Sequence, residues 1–266
     1  MNSPEPSRSS PPASPAPEGA CAVVLAAGKG TRMNSELPKV LCPVVGRAMI
    51  HFVIDALEAA GIHRQIVVVG YEADAVKREL ATRDQANIQF ALQAEQLGTG
   101  HAVQCCRDLL SEQTGPTIVV AGDSPLIQSD SLKTLLEHFH QTQPALLLGT
   151  LKKDDPTGLG RIVRNDAGEF IGIVEHKDAT PEQLAIDEVN MSTYLFRTPD
   201  LLESLSMLNN DNAQGEYYLT DCARLLRESG RPVAALPALK PCESLSINNP
   251  DELQLVDQQM RTMGYA

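Results

Sequence analysis

The residues best suited to chemistry lie between Leu25 and Lys39, in the string L-A-A-G-K-G-T-R-M-N-S-E-L-P-K. A glycine-rich turn after a buried strand brings backbone N–H groups close to phosphate oxygens. Lys29, Arg32 and Lys39 add three positive charges in one segment. The string is not a P-loop, since G-x-x-x-x-G-K-[ST] is absent. Nor is it a dinucleotide fingerprint: Gly28 and Gly30 fit, but Met33 stands where the third glycine belongs. A glycine turn with solvated basic residues is the plain alternative. A second candidate is Asp123, just after the apolar run Thr117 to Val120, where a carboxylate reaches the open end of a sheet. By itself it also fits a turn or a cap. Asn248 fits the N-cap of the helix announced by Asn-Asn-Pro-Asp.

These residues need a scaffold, and the hydrophobic pattern supplies one. Strand-sized apolar runs at Cys21–Ala26, Ile66–Val69, Ile88–Leu92, Thr117–Val120 and Ala145–Thr150 alternate with helical patterns. The helices are expected at Ala48–Ala60, Ala73–Arg83, Thr99–Leu110 and Asp130–His140, with a terminal one at Asp251–Met263. In the first of these, His51, Asp55 and Glu58 fall at i, i+4 and i+7 and leave the remainder apolar. Such alternation predicts an α/β fold, a Rossmann-like, mostly parallel sheet with helices on both faces and ligands at the carboxyl ends of its strands. From Arg161 to Phe196 the texture becomes short β-like pieces broken by turns such as Asn165–Gly168, which reads as a small β-rich insertion over the mouth of the sheet.

Composition bounds the function. The chain has 266 residues, 42% hydrophobic, with 22 basic against 34 acidic residues and a net charge of −12. That balance argues against generic nucleic-acid binding, which rests on clustered Lys and Arg. No apolar run approaches the roughly 20 residues of a membrane helix. Residues 1–19, rich in Pro and Ser, lack the apolar core of a signal peptide and are expected to be a disordered tail. The six cysteines form no C-x-x-C pair and read as reduced, mostly buried thiols, with the cytoplasm as the default compartment. His138 and His140 are two apart on a helix and do not form a metal pair.

The string Leu25–Met33 followed by Leu37-Pro38-Lys39 resembles the signature of the sugar-1-phosphate nucleotidyltransferases. Gln93–His101 (QAEQLGTGH), Gly122-Asp123 before Pro125-Leu126, Asp155–Ile162 (DPTGLGRI), Val174–Ala179 (VEHKDA), Asn212–Asp221 (NAQGEYYLTD) and Asn248-Asn249 follow in order. Together they are similar to the bacterial N-acetylglucosamine-1-phosphate uridyltransferase domain, from about Cys21 to the end. The resemblance implies a nucleotide-diphospho-sugar transferase fold over 20–250 with a C-terminal helix over 251–266. It implies a uridine pocket of Leu25, Ala26, Ala27, Gly28, Gly30, Gln93, Gly98 and Thr99, with Arg32 and Lys39 on the triphosphate. Gly122, Gly160, Glu175 and Asn190 would recognise the amino sugar, and Asp123 with Asn248 would hold Mg²⁺. Taken singly, Glu175 also fits a solvated acid and Asn190 a turn residue. His101 and His176 travel with the motifs and receive no catalytic role.

The implied substrates are UTP and N-acetylglucosamine 1-phosphate. The same chemistry on another pair, such as UTP with glucose 1-phosphate or dTTP with a hexose 1-phosphate, is the nearest alternative. A nucleotide-sugar-binding regulator without turnover is a different class. Two departures bear on the sugar: the family commonly has Tyr where this chain has Ala121, and a small residue followed by Gly where it has Met191 and Ser192. No hexapeptide repeat appears, so no acetyltransferase activity is expected of this chain.

Overall fold

The computed structural model describes residues 19–33, 35–212 and 214–265. The tail expected over 1–19 therefore falls outside the described residues except for Gly19, whose carbonyl accepts a hydrogen bond from Gln113 Nε2.

The first strand, β1 (Cys21–Ala26), is followed by a short hairpin, β2 (Pro43–Val44) and β3 (Arg47–Ala48), and by α1 (Ile50–Ala59). Then come β4 (Arg64–Val69), α2 (Ala73–Leu80), β5 (Ile88–Leu92), α3 (Thr99–Gln104), α4 (Arg107–Leu110), β6 (Thr117–Ala121) and α5 (Ser129–Thr142). The second half comprises β7 (Leu146–Lys152), β8 (Arg161–Arg164), β9 (Phe170–Val174), α6 (Pro181–Leu184) and β10 (Glu188–Phe196). It ends with α7 (Thr198–Met207), α8 (Asp221–Glu228), β11 (Val233–Leu236) and α9 (Pro250–Thr262).

The main sheet runs β11-β7-β10-β6-β1-β4-β5. Strands β5, β4, β1 and β6 are parallel, and β11 is parallel to β7. Their interiors, such as Val23, Val67 and Ile118, are fully buried, as expected of strands covered on both faces. One cluster packs α1, α2 and α5 against one face; a second packs α3, α7 and α8 against the other. A third joins Met33, Val44 and Met49 to Ile247, Val256 and Met260, fastening α9 to the segment after the glycine-rich turn.

The expected strands are all present, and the expected helices shift by a few residues. One helix is broken: the pattern over Thr99–Leu110 becomes α3 and α4, separated by Cys105 and Cys106. The expected insertion is a larger revision. Its last strand, β10, lies between β6 and β7 and runs antiparallel to both. Only β8 and β9 stand off the main path, pairing with the first half of β10. The polar residues Glu188, Asn190, Ser192 and Thr193 along β10 mask its central position in the sequence. All six cysteines are unpaired thiols, with Cys105 and Cys242 only half-buried. No helix among the described residues is long and apolar enough to cross a membrane.

Candidate functional site

Strand order fixes where the candidate residues meet. From β1 the chain proceeds to β4 and β5 on one side, then crosses to β6 on the other, so the order reverses between β1 and β6. The crevice beyond the carboxyl ends of strands at such a reversal is where open α/β sheets bind ligands. Leu25 and Ala26 close β1, and Ala27, Gly28 and Gly30 follow it. Gly122 and Asp123 follow β6, Gly70 and Tyr71 follow β4, and Gln93 follows β5. Gly122 N–H donates to Leu25 O at 2.9 Å, joining the two strand ends at the crevice.

The tightest group is Lys39, Asp123 and Asn248. Lys39 Nζ lies 2.5 Å from Asp123 Oδ2 and donates to Asn248 Oδ1 at 3.0 Å. The Lys39 and Asp123 side chains are 14% and 26% exposed, so the pair is shielded though open to a ligand. Gly30 sets the approach of Lys39. It has φ +65°, and a Cβ there would sit 2.6 Å from Lys39 Cβ, so any side chain would be strained and would displace the lysine. Asn248 is held by Glu252, which accepts from its N–H at 2.7 Å and its Nδ2 at 3.0 Å. The expected helix cap belongs to Asn249 instead, whose Oδ1 accepts from Glu252 N–H at 2.9 Å. Two hard oxygens, one anionic, thus converge on a single cationic nitrogen. This set suits Mg²⁺, which takes one or two protein oxygens and completes its shell with water and phosphate. Among the described residues no group of three or more His, Cys, Asp or Glu is placed to hold a metal.

A second group forms a wall at β5 and α3. Gln93 is buried, and its Nε2 donates to Gly98 O at 3.0 Å and lies 3.2 Å from His101 Nδ1. Gly98 has φ +106°, and a Cβ there would stand 2.5 Å from Tyr217 O. Thr99 Oγ1 accepts from Leu219 N–H at 3.1 Å. Gly98 and Thr99 thereby bind this wall to the 217–219 segment. Gln96 Nε2 donates to Gln93 O at 3.2 Å, and Gly70 packs against both Gln96 and Ala27, which links this wall to the end of β1. Lys29 Nζ stands 5.1 Å over the Tyr71 ring, a cation–π contact at the rim. Arg32 is exposed on the short turn Thr31–Met33 and makes no ion pair among the described residues.

The third group brings Gly160, Glu175 and Asn190 together. Gly160 O accepts from Asn190 N–H at 2.9 Å, and the Gly160 Cα faces the Glu175 carboxylate. Asn190 Nδ2 donates to Tyr194 Oη at 3.0 Å. Burial first, and the nearby Glu175 charge, push the Tyr194 phenol up to about 12 despite that hydrogen bond. A bulge between Asn190 and Thr193, with Ser192 at φ +53°, turns this end of β10 out of the ladder. Ala121, Ser124, Met191, Thr193 and Glu243 line a cavity of about 10 Å³, the space of one water, which connects the end of β6 with the bulge.

Several positions here carry no role in the sequence reading. Arg161 is 1% exposed, and its guanidinium donates to Leu159 O and lies 3.3 Å from His176 Nδ1. Arg161 thus clamps the loop before Gly160 to the residue after Glu175. Its signal was its place inside DPTGLGRI. Tyr217 likewise lay inside NAQGEYYLTD. Gly70 and Tyr71 left no comparable signal, because they meet Ala27 and Lys29 across a long stretch of chain, and Glu252 reads only as an acid in the first turn of a helix.

Known proteins resemble this chain along most of its length. Residues 21–240 match the family model described as nucleotidyl transferase. The protein named Bifunctional protein GlmU from Exiguobacterium sibiricum is 46% identical over 240 residues, 90% of this chain and 53% of that protein. Its namesake from Limosilactobacillus fermentum is 48% identical over 228 residues, 86% and 49% of the two chains. That from Shouchella clausii is 42% identical over 243 residues, 91% and 53%. The chain spans about half the length of these relatives.

Proposed function

We infer the function from one premise: this chain belongs to the nucleotidyl transferase family. On that premise we propose that it transfers UMP from UTP to N-acetylglucosamine 1-phosphate, giving UDP-N-acetylglucosamine and pyrophosphate. A phosphate oxygen of the sugar attacks the α-phosphorus of UTP in line. The new P–O bond forms as the bond to the β-phosphate oxygen breaks, and pyrophosphate leaves with that electron pair. Positioning and charge neutralisation dominate such a transfer, and no protein nucleophile is needed.

The division of labour follows the three groups. Backbone from Leu25 to Gly30 flanks the nucleotide, and Gln93, Gly98 and Thr99 offer their polar atoms to the uracil. Arg32 and Lys39 supply positive charge to the triphosphate. Gly122, Gly160, Glu175 and Asn190 hold the amino sugar, with Glu175 accepting from its hydroxyls. Asp123 and Asn248 would hold Mg²⁺, which when bound neutralises phosphate charge at the reacting centre. The observation that carries this reading is the convergence of Lys39 on Asp123 and Asn248 at the β1/β6 reversal.

The test is pyrophosphate release with Mg²⁺, crossing four nucleoside triphosphates with a panel of sugar 1-phosphates. Fast release with UTP and N-acetylglucosamine 1-phosphate alone supports the reading. No release with any pair, despite UTP binding, overturns it in favour of a binding protein without turnover. One observation favours a second reading, the same transfer onto another hexose 1-phosphate: Ala121 and Met191 line one cavity between the Asp123 and Asn190 groups. Release with a different sugar would locate the specificity there.

A further inference from the structure

Lys39 occupies an unusual position for a residue whose proposed task is to hold phosphate. Its ammonium is spent on the two oxygens of Asp123 and Asn248, at 2.5 and 3.0 Å. The arrangement is built from both sides. Lys39 opens the short turn Lys39–Leu41, with Cys42 N–H donating to its carbonyl at 3.1 Å and Val40 buried beside it, so its backbone is fixed. Asn248 is fixed too, because Ser246 Oγ and Glu252 accept from its Nδ2 at 3.1 and 3.0 Å and leave Oδ1 turned to the lysine. Only the flexible stem of Lys39 is free to swing.

We propose that Lys39 is a resident counter-cation: its ammonium fills the Asp123–Asn248 oxygen pair in the unliganded protein and competes with a divalent cation for those two oxygens. The inference rests on the reading of Asp123 and Asn248 as metal ligands. Two cations cannot share one carboxylate oxygen at contact distance without strong repulsion, so one of them must leave. The ammonium leaves cheaply only when another anion receives it, and the triphosphate of the nucleotide is such an anion. Metal and nucleotide therefore bind with positive coupling, and each raises the affinity for the other by the same factor. Lys39 also relieves Asp123 of an unpaired charge while the site is empty of substrate.

The experiment is a Mn²⁺ titration of the unliganded protein, read from the free-ion electron paramagnetic resonance signal. Lys39→Met should bind Mn²⁺ at least about tenfold more tightly than the wild type, by loss of the competing charge. Asp123→Asn should abolish that binding in both backgrounds. A non-hydrolysable UTP analogue should raise Mn²⁺ affinity in the wild type more than in Lys39→Met. Equal Mn²⁺ affinity in wild type and Lys39→Met overturns the competition, whereas Mn²⁺ binding indifferent to Asp123→Asn overturns the ligand assignment itself. A measurement on the wild type needs no folded variant: saturating Mn²⁺ should make the Lys39 amine more reactive toward an acylating reagent, read by mass spectrometry of the peptide. Unchanged or lower labelling of Lys39 contradicts the proposal.

Discussion

Asn248 and Asn249, adjacent in the chain, serve different partners. Asn249 Oδ1 closes the first turn of α9 on Glu252 N–H at 2.9 Å, while Asn248 Oδ1 accepts from Lys39 Nζ at 3.0 Å. Glu252 serves both, since its carboxylate returns to the Asn248 N–H at 2.7 Å. Asn249→Ala should therefore cost about 1 kcal/mol of stability, the usual worth of a cap, and lower turnover less than tenfold. Asn248→Ala should reverse that ranking. Urea unfolding and pyrophosphate release on the two variants check both.

Asp123→Ala removes the anionic oxygen at the proposed reacting centre. Turnover should fall by at least about two orders of magnitude, the scale set by loss of one electrostatic contact in a preorganised site. Undiminished Mg²⁺-dependent pyrophosphate release in a folded Asp123→Ala protein would refute the metal assignment.

Glu175 lies in the group that contains Gly160 and Asn190, whereas Gln93 and Gly98 belong to the group at β5 and α3. Glu175→Ala should raise the KM for the sugar 1-phosphate about tenfold or more, by loss of a charged acceptor, and leave the UTP KM within about twofold. Steady-state kinetics with each substrate varied in turn decides it, and the opposite ranking would move Glu175 to the nucleotide side.

Gly98 combines φ +106° with a gap too small for a methyl group beside Tyr217 O. Gly98→Ala should destabilise the protein by roughly 1–3 kcal/mol through backbone strain alone. It should also weaken UTP binding, since the loop that holds Gln93 must shift. Calorimetric titration of UTP and a melting curve report the two effects separately.

Glu188 anchors the start of β10. Thr150 Oγ1 donates to its Oε1 at 2.5 Å, and Arg164 donates to both oxygens at 2.7 Å. Burial tends to raise its pKa, but the hydrogen bonds from Arg164 and Thr150 more than offset it and leave the carboxyl below its ordinary 4.5. A depressed carboxyl stabilises the fold fully above its unfolded pKa and loses that contribution as pH falls through the folded value. Glu188→Gln should thus lower stability at pH 7 by roughly 1.5–3 kcal/mol, with the deficit shrinking below pH 4.5. Denaturant melts at pH 7 and pH 3.5 compare the slopes.

Much of the scaffold was legible because strands covered on both faces leave continuous apolar runs, as in Val23–Val24 and Val67–Val69. Strand β10 escaped that logic. Its polar first half reads locally as turns, and only pairing with β6 and β7 reveals it as a central strand. Helices α7 and α8 and strand β11 have no counterpart in the sequence reading, and length does not separate them, since α7 is as long as α1 and α8 as long as α2. In the site, residue types at strand ends could be read along the chain, but their partners could not. Lys39 and Asn248 are 209 residues apart, and Thr99 and Leu219 are 120 apart. Choosing between Asn248 and Asn249 as the cap needed coordinates for the same reason.

The path of β10 has an evolutionary consequence. Asn190 sits in the same strand whose other end, Tyr194 to Phe196, is woven between β6 and β7. The part of the molecule that contacts the proposed sugar is therefore not a cassette that can be exchanged between relatives, because removing it would unravel the middle of the sheet. Substitutions around the bulge are the narrower route to a changed sugar preference, and they meet constraints there, since Met191 packs against a core cluster and Ser192 holds φ +53°.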